Sequence, residues 1–188
     1  MTDLADIRTN PMPEAMRVLL HDYPRGSWDE NPHFKRATKQ WLAAHQMFRR
    51  LGNFVRVETE NYLDRSRDPD DYAGRLSYYG NALVANLHGH HGWEDHSYFP
   101  ELSAADPRFD AGLEILEKDH QDLDAVLDRF TRAANRTIKL IQLDEKAAPD
   151  EAGALHREAE TIEAFLERHL GDEEELAVPI ILHHRLRG

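Results

Sequence analysis

Four long stretches of this chain repeat apolar residues in alternating three- and four-residue steps, the period of one helix face rather than of a strand. The first seam reads Phe34, Trp41, His45, Phe48, Val55, Tyr62, and the second Leu76, Leu83, Leu87, His90, Glu94, Tyr98. The third reads Leu113, Leu116, His120, Leu123, Leu127, Phe130, Ile141, and the fourth Leu155, Ala159, Ile162, Leu166, His169, Glu173, Leu176. Prolines mark the joints. Asn31-Pro32, Asp68-Pro69 and Asp106-Pro107 each set a capping residue ahead of a proline, and Pro149 follows the polar run Asp144-Glu145-Lys146. The pattern predicts helices over roughly 32–65, 69–99, 107–143 and 149–176. Four such helices with short connections predict an all-α, antiparallel up-down four-helix bundle over 32–188. Residues 1–31, with Pro11, Pro13, Pro24, Gly26 and Trp28, read as an N-terminal arm with a short helix near 14–21.

Composition narrows the chemistry. The 188 residues include no cysteine, which removes disulfides, thiolate catalysis, Fe–S clusters and Cys-type zinc sites. A net charge of −12 repels phosphate backbones, so no nucleic-acid partner is expected. No apolar run approaches the roughly 18 residues of a membrane span, and no basic start with an apolar stretch opens the chain. No membrane association and a cytoplasmic location are the expectations. What remains abundant is carboxylate and histidine, twelve of the latter.

Six of those polar groups stand where apolar residues belong. His45, His90, Glu94, His120, His169 and Glu173 occupy seam positions, although a bundle core does not accept unpaired ionisable groups cheaply. One buried histidine bonded to a neighbour is common. Six at one level are not. His45 lies 20 residues before Arg65 and His90 lies 21 after Pro69, so both sit about 30 Å from the turn between them. His120 and His169, measured from the turn near 144–149, reach a matching level. The chain also repeats itself: residues 90–100 align without gaps on 169–179, with His90 on His169, Glu94 on Glu173, Asp95 on Glu174 and Pro100 on Pro179. His45-Gln46 and His120-Gln121 precede the two copies. One helical hairpin used twice would build a site with a pseudo-two-fold axis.

A His and a Glu four residues apart share a helix face and can touch one metal centre. Two such pairs plus two further histidines give four nitrogen and two carboxylate donors. That exceeds what a tetrahedral zinc needs and suits a dinuclear centre, with carboxylates able to bridge. Ferritin-like bundles use Glu-x-x-His pairs instead, a spacing met only once, at Glu117 and His120. No His-Glu-x-x-His helix, phosphate loop or nucleophile elbow is present. On this reading His91, which aligns with Leu170, falls off the seam; with His21, His33, His88, His96, His156, His183 and His184 it is expected on solvated surface. Asp124 is read as a solvated residue beside the seam, with a role as an extra ligand as the alternative. Trp41, Phe48, Leu87, Trp93, Leu123, Phe165 and Leu166 are read as core, some walling the site from water.

The paired pattern resembles the hemerythrin-like, or HHE cation-binding, superfamily over most of residues 32–180, and the motif tails Tyr98-Phe99-Pro100-Glu101-Leu102 and Val178-Pro179-Ile180 are similar to its helix ends. The resemblance implies two iron ions (Fe2+/Fe3+) joined by an oxo or hydroxo bridge. It implies His45, His90, His120 and His169 as terminal ligands and Glu94 and Glu173 as bridges. Oxygen-carrying members add a fifth histidine on the third helix; here Leu116 and Asp124 stand at those positions. The four-His, two-Glu set is closer to bacterial members implicated in iron-centre repair and nitric oxide chemistry. Two functions are therefore expected to compete. One is binding of O2 or NO for sensing, storage or delivery. The other is an oxidoreductase or repair activity on NO, peroxide or damaged clusters.

Overall fold

A computed structural model describes residues 7–186; the first six positions of the expected arm and the last two of the chain lie outside the described residues. The described residues are helical and turn, without a strand. Six α-helices follow in order: α1 (Val18–Asp22), α2 (Arg36–Leu63), α3 (Pro69–Trp93), α4 (Phe99–Ala105), α5 (Asp110–Leu143) and α6 (Ala148–His184). Three short 3-10 turns, Glu14–Met16, Arg25–Glu30 and Pro107–Phe109, join them, and a π-turn, Glu94–Tyr98, links α3 to α4. No helix among these residues is long and apolar enough to cross a membrane.

The four long helices form a closed ring of neighbours. α2 packs on α3 and α6, and α5 packs on the same two. The capping reading is clearest at α3, where the Asp68 side chain accepts from the Asp70 and Asp71 amides at 3.0 and 3.1 Å. Two segments run past their expected ends. The second continues through the π-turn to Ala105 rather than stopping at 99. The fourth continues through Pro179 to His184 rather than stopping at 176. The cost of a proline inside a helix is offset there by burial of Val178, Ile180, Ile181 and Leu182. His184 is thus no frayed end, and its Nε2 lies 2.8 Å from Asp106.

Two apolar clusters fill the ring. One holds Phe48, Leu87, Leu123, Phe165 and Leu166; the other holds Trp41, Tyr98, Phe99, Leu116 and Leu176. On every long helix the seam histidine falls in the gap between the two clusters, which places one polar layer inside an apolar core. The segment before α2 seals the second cluster, with Met12, Leu19 and Trp28 buried in it. The Trp28 indole donates to the Tyr23 carbonyl at 2.8 Å, which fixes that turn. Gly112 lets this seal approach α5: a Cβ there would stand 2.9 Å from Leu176 Cδ2 and 3.1 Å from Met16 Sδ.

Candidate metal centre

The polar layer takes one imidazole from α2 (His45), two from α3 (His90 and His91), one from α5 (His120) and one from α6 (His169). Glu94 of the π-turn and Glu173 of α6 complete it. His45, His169 and both glutamates are fully buried, and His91 and His120 are nearly so. The structure therefore brings together all six seam residues. It also brings in His91, which contradicts the surface reading. α3 faces two neighbours at once, and consecutive helical residues point about 100° apart. His90 turns toward α2, its ring 5.0 Å from that of His45, while His91 turns toward α5 and stacks on His120 at 3.9 Å.

The outer nitrogens of three imidazoles rest on carboxylates. His45 Nδ1 donates to Glu174 at 3.1 Å, His120 Nδ1 to Asp95 at 2.7 Å and His169 Nδ1 to Asp119 at 3.3 Å. An ionised carboxylate only accepts, so each Nδ1 carries a proton, which in the neutral ring leaves the Nε2 lone pair turned inward. Asp95 and Glu174, which the internal repeat aligns, do the same work. Each follows a seam glutamate and holds the lone histidine of the other hairpin. Glu174 also accepts from Arg49 at 2.8 Å and Arg25 at 2.5 Å. Burial opposes its ionisation, but these three donors outweigh burial and hold its carboxyl down at about 2. Asp119 is held well below the carboxylate range against the same burial, by His169, Arg8 and Arg168. Arg8 and Arg25 lie ahead of α2 in sequence, so the seal over the second cluster also fixes two of the three orienting carboxylates.

Inside the layer acceptors outnumber the donors that face them. His120 Nε2 and His169 Nε2 face each other at 3.1 Å. Burial, only partly offset by Asp119, takes His169 down to about 4, so it is neutral at pH 7 and its Nε2 is an acceptor. Glu173 has neither oxygen hydrogen-bonded, and Glu94 Oε2 is likewise unpaired. Glu94 Oε1 is better served, by Trp41 Nε1 at 2.6 Å and His90 Nε2 at 2.8 Å. Burial opposes Glu94 ionising, but hydrogen bonds from histidine outweigh it and keep its carboxyl low. Burial, then the negative charge of Glu94, push Glu173 well above the carboxylate range.

Each orphaned buried acceptor costs about 1–3 kcal/mol. A cation reverses that sign. Two imidazole nitrogens bound to one ion at about 2.0–2.1 Å lie some 2.8–3.4 Å apart between right-angled and tetrahedral geometry, a range that includes the spacing of His120 and His169. His45 and His90 present their Nε2 atoms at 3.0 Å. Among the described residues the donor atoms fall into three overlapping sets, each within 4.8 Å: His45, His90 and Glu94; Glu94, His120 and Glu173; and His91, His120 and His169. Glu94 and His120 each belong to two of them, so the sets form one continuous cluster.

The remaining sequence candidates stay outside. Asp124 is largely exposed and faces His88 Nδ1 at 3.1 Å. His21, His96 and His183 are exposed, and His33, His156 and His184 are half-buried away from the layer. The orienting residue Asp119 and its partner Arg8 carried no periodic signal, for they meet across 111 positions of chain.

The family model described as the hemerythrin HHE cation binding domain matches residues 36–181. No curated protein and no solved structure matches the chain.

Proposed function

The chain belongs to the hemerythrin HHE cation-binding family, and from that premise we propose a cytoplasmic, antiparallel up-down four-helix bundle that binds O2 or NO at a non-haem di-iron centre for sensing, storage or delivery. The observation that carries this reading is a dry polar layer short of hydrogen-bond partners. His120 and His169 bring their Nε2 atoms to 3.1 Å beside three carboxylate oxygens that no hydrogen bond satisfies. Such an arrangement is costly for a purely structural core and suited to multivalent cations.

In this reading His45 and His90 would hold one ion and His120 and His169 the other, with Glu94 and Glu173 as carboxylate ligands of an oxo- or hydroxo-bridged pair. Bound iron supplies reversible redox chemistry and an open coordination position for a diatomic ligand. The chain's own residues do the rest. Glu174, Asp95 and Asp119 fix the tautomer of three imidazoles, which keeps Nε2 aimed inward. Trp41 pins one oxygen of Glu94 and leaves the other free. Apolar clusters on both sides exclude water. Solvent approaches along α3, where the His90 side chain is 11% exposed while His45 and His169 are fully covered. Phe48 and Trp93 flank that approach, their rings 4.9 and 6.4 Å from His90.

The test is anaerobic loading with Fe(II), followed by admission and removal of O2 and, separately, NO. A visible band that appears with the gas and disappears on its removal is the expected result. Iron that oxidises at once and stays diferric would assign the centre to redox turnover or iron donation instead.

A further inference from the structure

The fifth imidazole of the polar layer, His91, has no counterpart in the other half of the internal repeat. His91 is 3% exposed, and neither of its ring nitrogens has a hydrogen-bond partner. Its ring lies parallel to His120 with centroids 3.9 Å apart and stands edge-on to His169 at 5.5 Å. A donor atom of His91 falls within 4.8 Å of donor atoms on both of those residues. The internal repeat puts a leucine, Leu170, at the equivalent place on α6, and that residue is fully buried. Packing alone is therefore served by an apolar side chain there, and an imidazole with both nitrogens idle is the costlier choice.

We infer that His91 is a third imidazole ligand at the position of His120 and His169, so that this ion is held by three histidines and its neighbour by two. This deepens the di-iron reading and rests on it. The extra imidazole would thus stand on the buried side of the layer, away from His90, whose side chain meets solvent.

The test uses the full chain loaded with 57Fe(II), oxidised in air and examined by Mössbauer spectroscopy, with iron release to a chelator followed in parallel. Wild type is expected to show two iron environments of equal area. In His91→Phe, which keeps the ring stack, one environment is expected to change and one iron to leave at least tenfold faster. In His91→Ala, added imidazole is expected to restore the wild-type spectrum, a rescue that a packing role would not produce. Indistinguishable spectra and release rates in wild type and His91→Phe would overturn the inference while leaving the di-iron reading intact. So would a His91→Ala spectrum unmoved by imidazole, which also decides the matter should His91→Phe not fold. A wild type that binds no iron would defeat the di-iron reading itself.

Discussion

One guanidinium, that of Arg49, serves two carboxylates, and substituting each shows how burial sets the value of an ion pair. Its Nη1 donates to Glu174 at 2.8 Å, and its Nε reaches Glu167 at 3.3 Å. The Glu174 side chain is 2% exposed, whereas that of Glu167 is 77% exposed. Exposed pairs contribute about 0–1 kcal/mol, so Glu167→Gln is expected to shift stability by less than about 0.5 kcal/mol. Glu174 accepts three charge-assisted bonds, from Arg25, Arg49 and His45. Stripping one partner from a buried pair costs roughly 3–5 kcal/mol. Glutamine keeps one acceptor oxygen and both arginines reach water, which brings the expected loss to about 2–3 kcal/mol. For a chain of this size that lowers Tm by roughly 5–10 °C. Loss of the Nδ1 anchor of His45 should also weaken iron at that position about 10–100-fold, the usual effect of removing a ligand's orienting partner. Urea denaturation of the iron-free protein measures the first quantity, and competition with a chelator the second. Equal effects of Glu167→Gln and Glu174→Gln, or an unchanged iron affinity in Glu174→Gln, would refute the reasoning.

Three further outcomes are expected. Glu173→Leu removes two unpaired buried oxygens, so the iron-free protein should gain about 1–4 kcal/mol while iron falls below two per chain; a destabilised apo variant that still binds two irons would contradict this. Phe130→Ala empties a 1%-exposed site in the first apolar cluster and should cost about 3–5 kcal/mol in urea denaturation with iron stoichiometry unchanged. Asp106 is held well below its ordinary range by Arg108, aided by His184 and against some burial. Its folded pKa is the lower one, so its contribution is complete above the unfolded value near 4 and is lost as pH falls toward the folded value. Wild-type stability should therefore drop more steeply than that of Asp106→Asn below about pH 4, by up to about 1.4 kcal/mol per pH unit; parallel curves would refute it.

The helix seams carried much of the architecture in plain view, because burial of one face imposes a period that survives in the sequence. The repeat carried more than ligand candidates. Its alignment of Asp95 with Glu174 marked two carboxylates that the structure shows orienting His120 and His45. His91 was lost because a single seam line was drawn through α3, whereas a helix between two neighbours has two interior-facing flanks. The signal was present: its counterpart Leu170 is an apolar residue in a buried position. The ends of α4 and α6 were lost for another reason, since Pro100 and Pro179 read as stops until the apolar residues around them find a partner surface. Asp119 with Arg8 lies beyond sequence reasoning of this kind, because only the folded chain brings the arm onto α5.

Diffraction from iron-loaded crystals at the iron absorption edge would show whether the polar layer between the two apolar clusters is a dinuclear cation site. Two anomalous peaks are expected inside the ring of long helices, one beside His45 and His90, the other beside His120 and His169, with Glu94 and Glu173 between them. A single peak, or iron only at exposed histidines such as His183, would contradict the dinuclear reading.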